Sequence, residues 1–203
     1  MKNEFKVLML QMVLLLAIFF ASCSKNSTDV QSRNPIQETE NQHTLKATIL
    51  TENFNTGTKG AYADANITLS TGIWDFNNAL LGSSSSDRKN GTQSARITST
   101  GKIVMMFDKS NGAGTVTVNH ALFGSDANST WQLLMSTNQG STWSQVGATI
   151  TTSTTTLTSQ AFTVNQSGNI RFEIVKTSGT GRINIDDFVI TDYNSNSSLV
   201  VSV

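Results

Sequence analysis

The chain has 203 residues, with 14 Lys plus Arg balanced by 14 Asp plus Glu, 2 His and 1 Cys. Zero net charge offers no general attraction for nucleic-acid phosphates, and a single cysteine excludes a disulfide framework or a Cys-based metal cluster. The sequence also lacks H-E-x-x-H, G-x-S-x-G and a phosphate loop, so none of these local catalytic signatures is present.

At the N-terminus, Lys2 and Lys6 precede an apolar run from Val7 to Phe20 in which only Gln11 is polar, followed by Ala21 and Ser22. This is the order of a signal peptide, expected over 1–22. As a helix the run reaches about 21 Å, short of the roughly 30 Å of a hydrocarbon core. The segment Phe20-Ala21-Ser22-Cys23 resembles the lipobox of bacterial lipoproteins, with Phe20 where leucine is usual. The resemblance implies that Cys23 is acylated and becomes the first residue of an exported, lipid-anchored protein of the cell envelope, with the outer membrane the expected address and its face open. More than one acyl chain turns marginal membrane affinity into stable anchoring. The alternative is an ordinary secretory signal followed by an incidental thiol.

Residues 23–46 are rich in Ser, Asn, Gln and Thr, hold the only proline, Pro35, and show no apolar period. They are expected to be a disordered tether. Residues 47–193 form one domain by length, with short apolar alternations separated by Gly, Asn, Ser and Asp clusters and no sustained 3.6-residue period. This pattern predicts an all-β fold with nine strands, at 47–50, 95–98, 102–107, 114–123, 130–136, 145–151, 160–164, 169–176 and 182–191. Nine strands without helices predict a single antiparallel β-sandwich. Alternation places Ile170, Phe172 and Ile174 inward with Arg171 and Glu173 outward, and Trp131, Leu133 and Met135 inward in their own strand. Residues 194–203 are a C-terminal tail.

Three local patterns stand out. Ser136 to Trp143 reads S-T-N-Q-G-S-T-W and resembles the Asp-box hairpin of secreted β-proteins, with Asn138 in place of aspartate. There a short polar side chain caps the turn and the tryptophan packs beneath it; a single copy argues against a propeller. Asn90 to Ile97 reads N-G-T-Q-S-A-R-I, a turn leading into a strand, preceded by the polar loop Ser86-Asp87-Arg88-Lys89. Near the end, Ile183 to Ile190 reads I-N-I-D-D-F-V-I. Strand parity puts Asp187 on the face of Ile183, Ile185 and Val189, and a buried carboxylate needs a cation or several donors. Structural Ca2+ held by Asp187 and Glu52 is one candidate; hydrogen bonding to backbone amides or Arg182 is the other.

The stretch from Thr71 to Gly82 (T-G-I-W-D-F-N-N-A-L-L-G), the S-D-R-K loop with its Ser-x-Arg strand, and Arg182 to Asp187 together resemble jelly-roll modules of secreted proteins. These include carbohydrate-binding modules and accessory modules appended to secreted nucleases. The resemblance implies a jelly-roll sandwich and a role without catalysis. Residues 47–193 hold nine Lys plus Arg and ten Asp plus Glu, so no nucleic-acid partner is expected. A glycan suits a neutral sandwich better, because sugars are held by aromatic platforms and polar side chains. Trp74, Tyr62 and Phe123 are the candidate aromatics, Asp87 and Arg88 the candidate polar residues, and His120 either a ligand group or a satisfied sheet histidine. The alternative function is a structural or protein-interaction lipoprotein that contacts another envelope protein.

Overall fold

The computed structural model describes residues 49–194. The signal peptide, Cys23, the tether and most of the C-terminal tail lie outside the described residues. Ten strands make up the domain: β1 (Leu50–Glu52), β2 (Ala65–Leu69), β3 (Gly72–Gly82), β4 (Ser94–Met105), β5 (Ala113–Leu122), β6 (Ser129–Ser136), β7 (Ser144–Thr152), β8 (Thr158–Gln166), β9 (Arg171–Ser178) and β10 (Ile183–Ile190). All pairings between them are antiparallel.

The hydrogen-bonded order is β7-β6-β9-β4-β10-β5-β8, with β3 along the other edge of β4, β2 on β3 and β1 on the end of β10. The long β3–β4 hairpin belongs to both layers. Trp74 to Asn77 pair with Lys102 to Met105, which in turn pair with β9; Ala79 to Gly82 pair with Ser94 to Ile97, which pair with β10. The register breaks between Asn77 and Ala79, where Asn78 has φ 48° and Ser99 on the partner strand has φ 50°. Bulges of this kind let strands turn from one sheet into the next. Gly101 completes the corner: a Cβ there would lie 2.6 Å from the carbonyl oxygens of both Asn77 and Asn78.

The two layers meet through large side chains. Trp74 and Phe172 of the first layer pack edge-on against Phe188 of the second, at 5.5 and 6.1 Å between ring centres, and Trp131 meets Phe162 at 5.8 Å. Ile170, Phe172, Ile174, Trp131 and Leu133 are buried in this core, as alternation requires, with Met135 packed at its margin. Two strands escaped the sequence pattern. The β2 segment A-N-I-T-L carries little apolar alternation, and in β3 the bulge at Asn78 shifts the inward set from Trp74 and Phe76 to Ala79 and Leu81. Conversely, 95–98 and 102–107, expected as two strands, are largely one, because Ser99 to Gly101 bend the chain without ending it.

Candidate functional site

The outward faces of the two layers differ. On the first, side chains alternate away from the core along each strand: Asp75 on β3, Lys102 and Val104 on β4, Arg171 and Glu173 on β9. The hairpin between β6 and β7 rises beside them, and together they line a cleft of about 240 Å³ with Met106, Gln139, Gly140 and Trp143. The hairpin is fixed from within. Ser136 Oγ donates to Asn138 Oδ1 at 2.9 Å, and the same oxygen accepts from Thr142 N at 3.0 Å. Gly140 N donates to Ser136 Oγ at 2.9 Å. Asn138 therefore does the work of the aspartate in the Asp box. Gly140 has φ 85°, and a Cβ on it would meet Trp143 Cζ2 at 3.4 Å and Arg171 Cδ at 3.7 Å. Trp143 is thus held against β9 at the cleft wall, half-buried rather than sealed beneath the turn.

Charge in the cleft is paired but within reach. Lys102 Nζ donates to Glu173 Oε2 at 3.0 Å and Arg171 Nε to Asp108 Oδ1 at 2.6 Å. Asp75 has its pKa pushed up to about 6, first by burial and then by its hydrogen bond with Asp64, which is itself held below the usual carboxylate range. As the pH falls, Asp75 therefore takes up a proton before Asp64 does. Met106 and Ile73, 45% and 47% exposed, are joined by a backbone hydrogen bond at the end of β3 and β4.

The second layer's outer face lies under the segment between β3 and β4. Asp87 folds down beside Gly82, where there is no Cβ to obstruct it. It accepts from Ser84 N and Oγ at 2.9 and 2.7 Å, Arg96 Nη1 at 3.2 Å and Asn184 Nδ2 at 2.9 Å. Asn184 returns its oxygen to Arg88 N at 3.1 Å and donates to Ser94 Oγ at 3.0 Å. The Ser-x-Arg strand thus ties the loop to the sheet. Arg96 lies over Phe123 at 4.4 Å and near Tyr62 at 5.8 Å; Arg182 lies over Phe123 at 4.0 Å and pairs with Asp126.

Of the residues singled out in the sequence, Tyr62, Phe123 and Asp87 therefore meet around Arg96, with Arg88 beside them bonded to Asn184 and to Gly124 O, while two others do not join them. Trp74 is 1% exposed, donates through Nε1 to Thr71 Oγ1 at 3.0 Å, and offers no face to a ligand. His120 is 6% exposed and edge-on to Trp131 at 5.3 Å. Thr152 Oγ1 accepts from Trp131 Nε1 at 3.1 Å and lies 2.8 Å from His120 Nδ1, which leaves its hydroxyl proton for a neutral imidazole. Burial lowers the His120 pKa in the same sense. It is a satisfied histidine of the core.

The expected parity of the last strand is also corrected. Asp187 has φ 43°, a bulge that brings Phe188 and Ile190 into the core and leaves Asp187 half-exposed, bonded to Asn90 Nδ2 and Asn119 Nδ2 at 3.1 and 2.9 Å. The fully enclosed carboxyl is Asp186. It accepts from Asn90 N at 2.6 Å and Asp187 N at 2.8 Å, and burial pushes its pKa up to about 7. Glu52, also enclosed, accepts from Phe54 N, Ser70 Oγ, Thr71 N and Thr71 Oγ1 at 2.7 to 3.1 Å. Calcium needs bare oxygen ligands. With Glu52 encircled by donors and Asp187 bound to amides elsewhere, this pair does not fit such a site. Among the described residues no group of three or more His, Cys, Asp or Glu is arranged to hold a metal ion. Arg182, the other proposed partner, is engaged by Asp126.

Sequence reasoning missed the cleft on the first layer, although it had identified the hairpin that forms its wall. The signal was Trp143 beside an exposed strand face, but its neighbours come from three distant strands.

No family model and no curated protein sequence matches the chain. Solved structures do. The CBM22-1 xylan-binding domain from Paenibacillus barcinonensis Xyn10C is similar with a TM-score of 0.52 and 13% identity, over 73% of this chain and 97% of that one. The K2 cleaved adhesin domain of Lys-gingipain is similar with a TM-score of 0.55 and 12% identity, over 70% of this chain and 99% of that one. The chain shares with them an all-β antiparallel sandwich of jelly-roll type.

Proposed function

We propose that the domain is a non-catalytic glycan-binding module, carried at a membrane surface by lipidated Cys23, and that the cleft of the first layer holds the sugar. The observation that carries this is the half-exposed Trp143 indole set beside Asp75, Lys102, Arg171, Glu173 and Gln139 in one concavity. A sugar ring has an apolar C–H face and a rim of hydroxyls, and asks for an aromatic platform with both donors and acceptors around it. Lys102 and Arg171 supply donors, Asp75 and Glu173 acceptors, and Gln139 both. A volume of about 240 Å³ suits one ring, being below the roughly 300 Å³ at which pockets for larger ligands begin. That one neighbour of the same fold is described as xylan-binding agrees with this ligand class. Hydrolysis would need two carboxyl groups free to trade protons across the bond. Here Glu173 is tied to Lys102 and Asp75 to Asp64, which supports the reading of a cleft that holds its ligand.

The test is a glycan array probed with the full-length protein in detergent, followed by titration of the best hit. Trp143→Ala is expected to weaken binding by at least about tenfold while moving the melting temperature little. Retention of no glycan at all, or equal binding by the variant, refutes the assignment.

A further inference from the structure

Three donors on the second layer's outer face end without an acceptor: Tyr62 Oη, Arg88 Nε and Arg96 Nε are all shielded from solvent and make no hydrogen bond. A buried donor left unmet loses its bonds to water without replacement, and folded proteins keep few of them. Three in one cluster amount to a demand for an acceptor. The neighbouring groups do not meet it. Arg96 gives Nη1 to Asp87 and Arg88 gives Nη2 to Gly124 O at 3.2 Å. The rings of Phe123 and Tyr62 answer the charge of Arg96 across their faces, but a ring face takes no in-plane N–H. Arg182 also faces the Tyr62 oxygen, but as a cation it can only donate to it, so the Tyr62 O–H still has no acceptor.

The charges point the same way. The ion pairs among these arginines are Arg96 with Asp87 and Arg182 with Asp126, while Asp186 and Asp187 are bonded to Asn90 farther along the loop. Arg88 is the guanidinium without a carboxylate, and Lys89, turned onto Ser84 O at 2.8 Å, adds a further positive charge at the edge. An acceptor that carries several oxygens and a negative charge satisfies donors and charge together.

We infer that the cluster of Tyr62, Arg88 and Arg96 beneath the β3–β4 loop is a binding site for an oxyanion group, a carboxylate, sulfate or phosphate, on the face opposite the glycan cleft. The group sits in the guanidinium planes of Arg88 and Arg96 and takes the Tyr62 hydroxyl as a third donor. Tyr62 is half-exposed on the segment between β1 and β2, at the solvent side of the cluster. The site does not depend on the glycan assignment, since it shares no residue with the cleft.

The experiment follows the arginine Nε–H resonances of the full-length protein in detergent by NMR, at fixed ionic strength in chloride. Sodium sulfate, sodium phosphate and sodium galacturonate are added separately. Expected are saturable shifts of the Arg88 and Arg96 signals with at least one of the three, while the Arg171 signal stays in place in the sulfate and phosphate arms. The strongest arm then says whether the natural group is an inorganic anion or the acid of a sugar. Arg88→Gln is expected to weaken that binding by about tenfold or more. Should that variant fail to fold, Tyr62→Phe, which keeps the ring and removes only the hydroxyl, is expected to weaken it several-fold. Shifts that rise linearly without saturating mean an adventitious ion only and overturn the proposal, as does no shift in any arm.

Discussion

A carboxyl group cut off from water must keep its proton or surround itself with donors, and Asp186 does both. Its folded pKa of about 7 stands against an unfolded value of about 3.9. The native state therefore binds the proton more tightly than the unfolded chain does. Its contribution to stability is complete below about pH 4 and is lost as the pH rises to about 7. Three units correspond to roughly 4 kcal/mol at most. His120 works in the opposite sense: burial lowers its pKa, so the neutral native imidazole gains stability as pH rises toward about 6.5. The clean measurement is therefore a difference. Urea midpoints of the wild type, relative to Asp186→Asn, are expected to fall between pH 5 and 8, and a constant difference would contradict the buried-proton account. At this scale the sequence was a partial guide. Two adjacent aspartates in a strand announced that one of them was enclosed, but side-chain alternation carries no mark of a φ 43° residue, so it named Asp187 instead of its neighbour. Tyr62 and Phe123 stand out in the sequence as aromatics and Asp87 and Arg88 as part of a polar loop, but nothing local to the sequence says that Tyr62, Phe123 and Asp87 meet at Arg96.

Among the elements, the β3–β4 hairpin has the most demanding geometry. It supplies Asp75, Lys102 and Val104 to one face and Arg96 to the other, and it can do so only because the chain bends at Asn78 and Ser99 to Gly101. Gly101→Ala places a methyl group 2.6 Å from two carbonyl oxygens, contacts that backbone must yield to relieve. Destabilisation of about 1–3 kcal/mol or more is expected, read as a lower urea midpoint with loss of glycan and oxyanion binding together. Strands that alternate cleanly, such as β6 and β9, could be read from the sequence down to the inward residues. The hairpin could not, since a phase shift inside one strand and a bend inside the other look like a loop and a gap when only periodicity is followed.

For the whole molecule, the sandwich was legible because the requirement to bury Phe, Trp and Ile without helices leaves few architectures. The cleft was not, because residues near 75, 102, 140 and 172 become neighbours only through the strand order β3-β4-β9-β6. The anchoring proposal is tested at this level. Cys23→Ser should move the protein from the membrane pellet to the soluble fraction and abolish palmitate labelling, whereas unchanged fractionation refutes lipidation at that thiol. If the protein does grip a polymer while tied by its N-terminus, tension enters the domain at Ile49. It meets only three residue pairs between β1 and β10, then the Glu52 carboxylate clasping Ser70 and Thr71 at the tip of the β2–β3 turn. That clasp stands one hairpin away from Asp75 at the cleft, so under the proposed anchoring and binding β1 and Glu52 would serve as a mechanical fuse, expected to yield before the cleft is distorted.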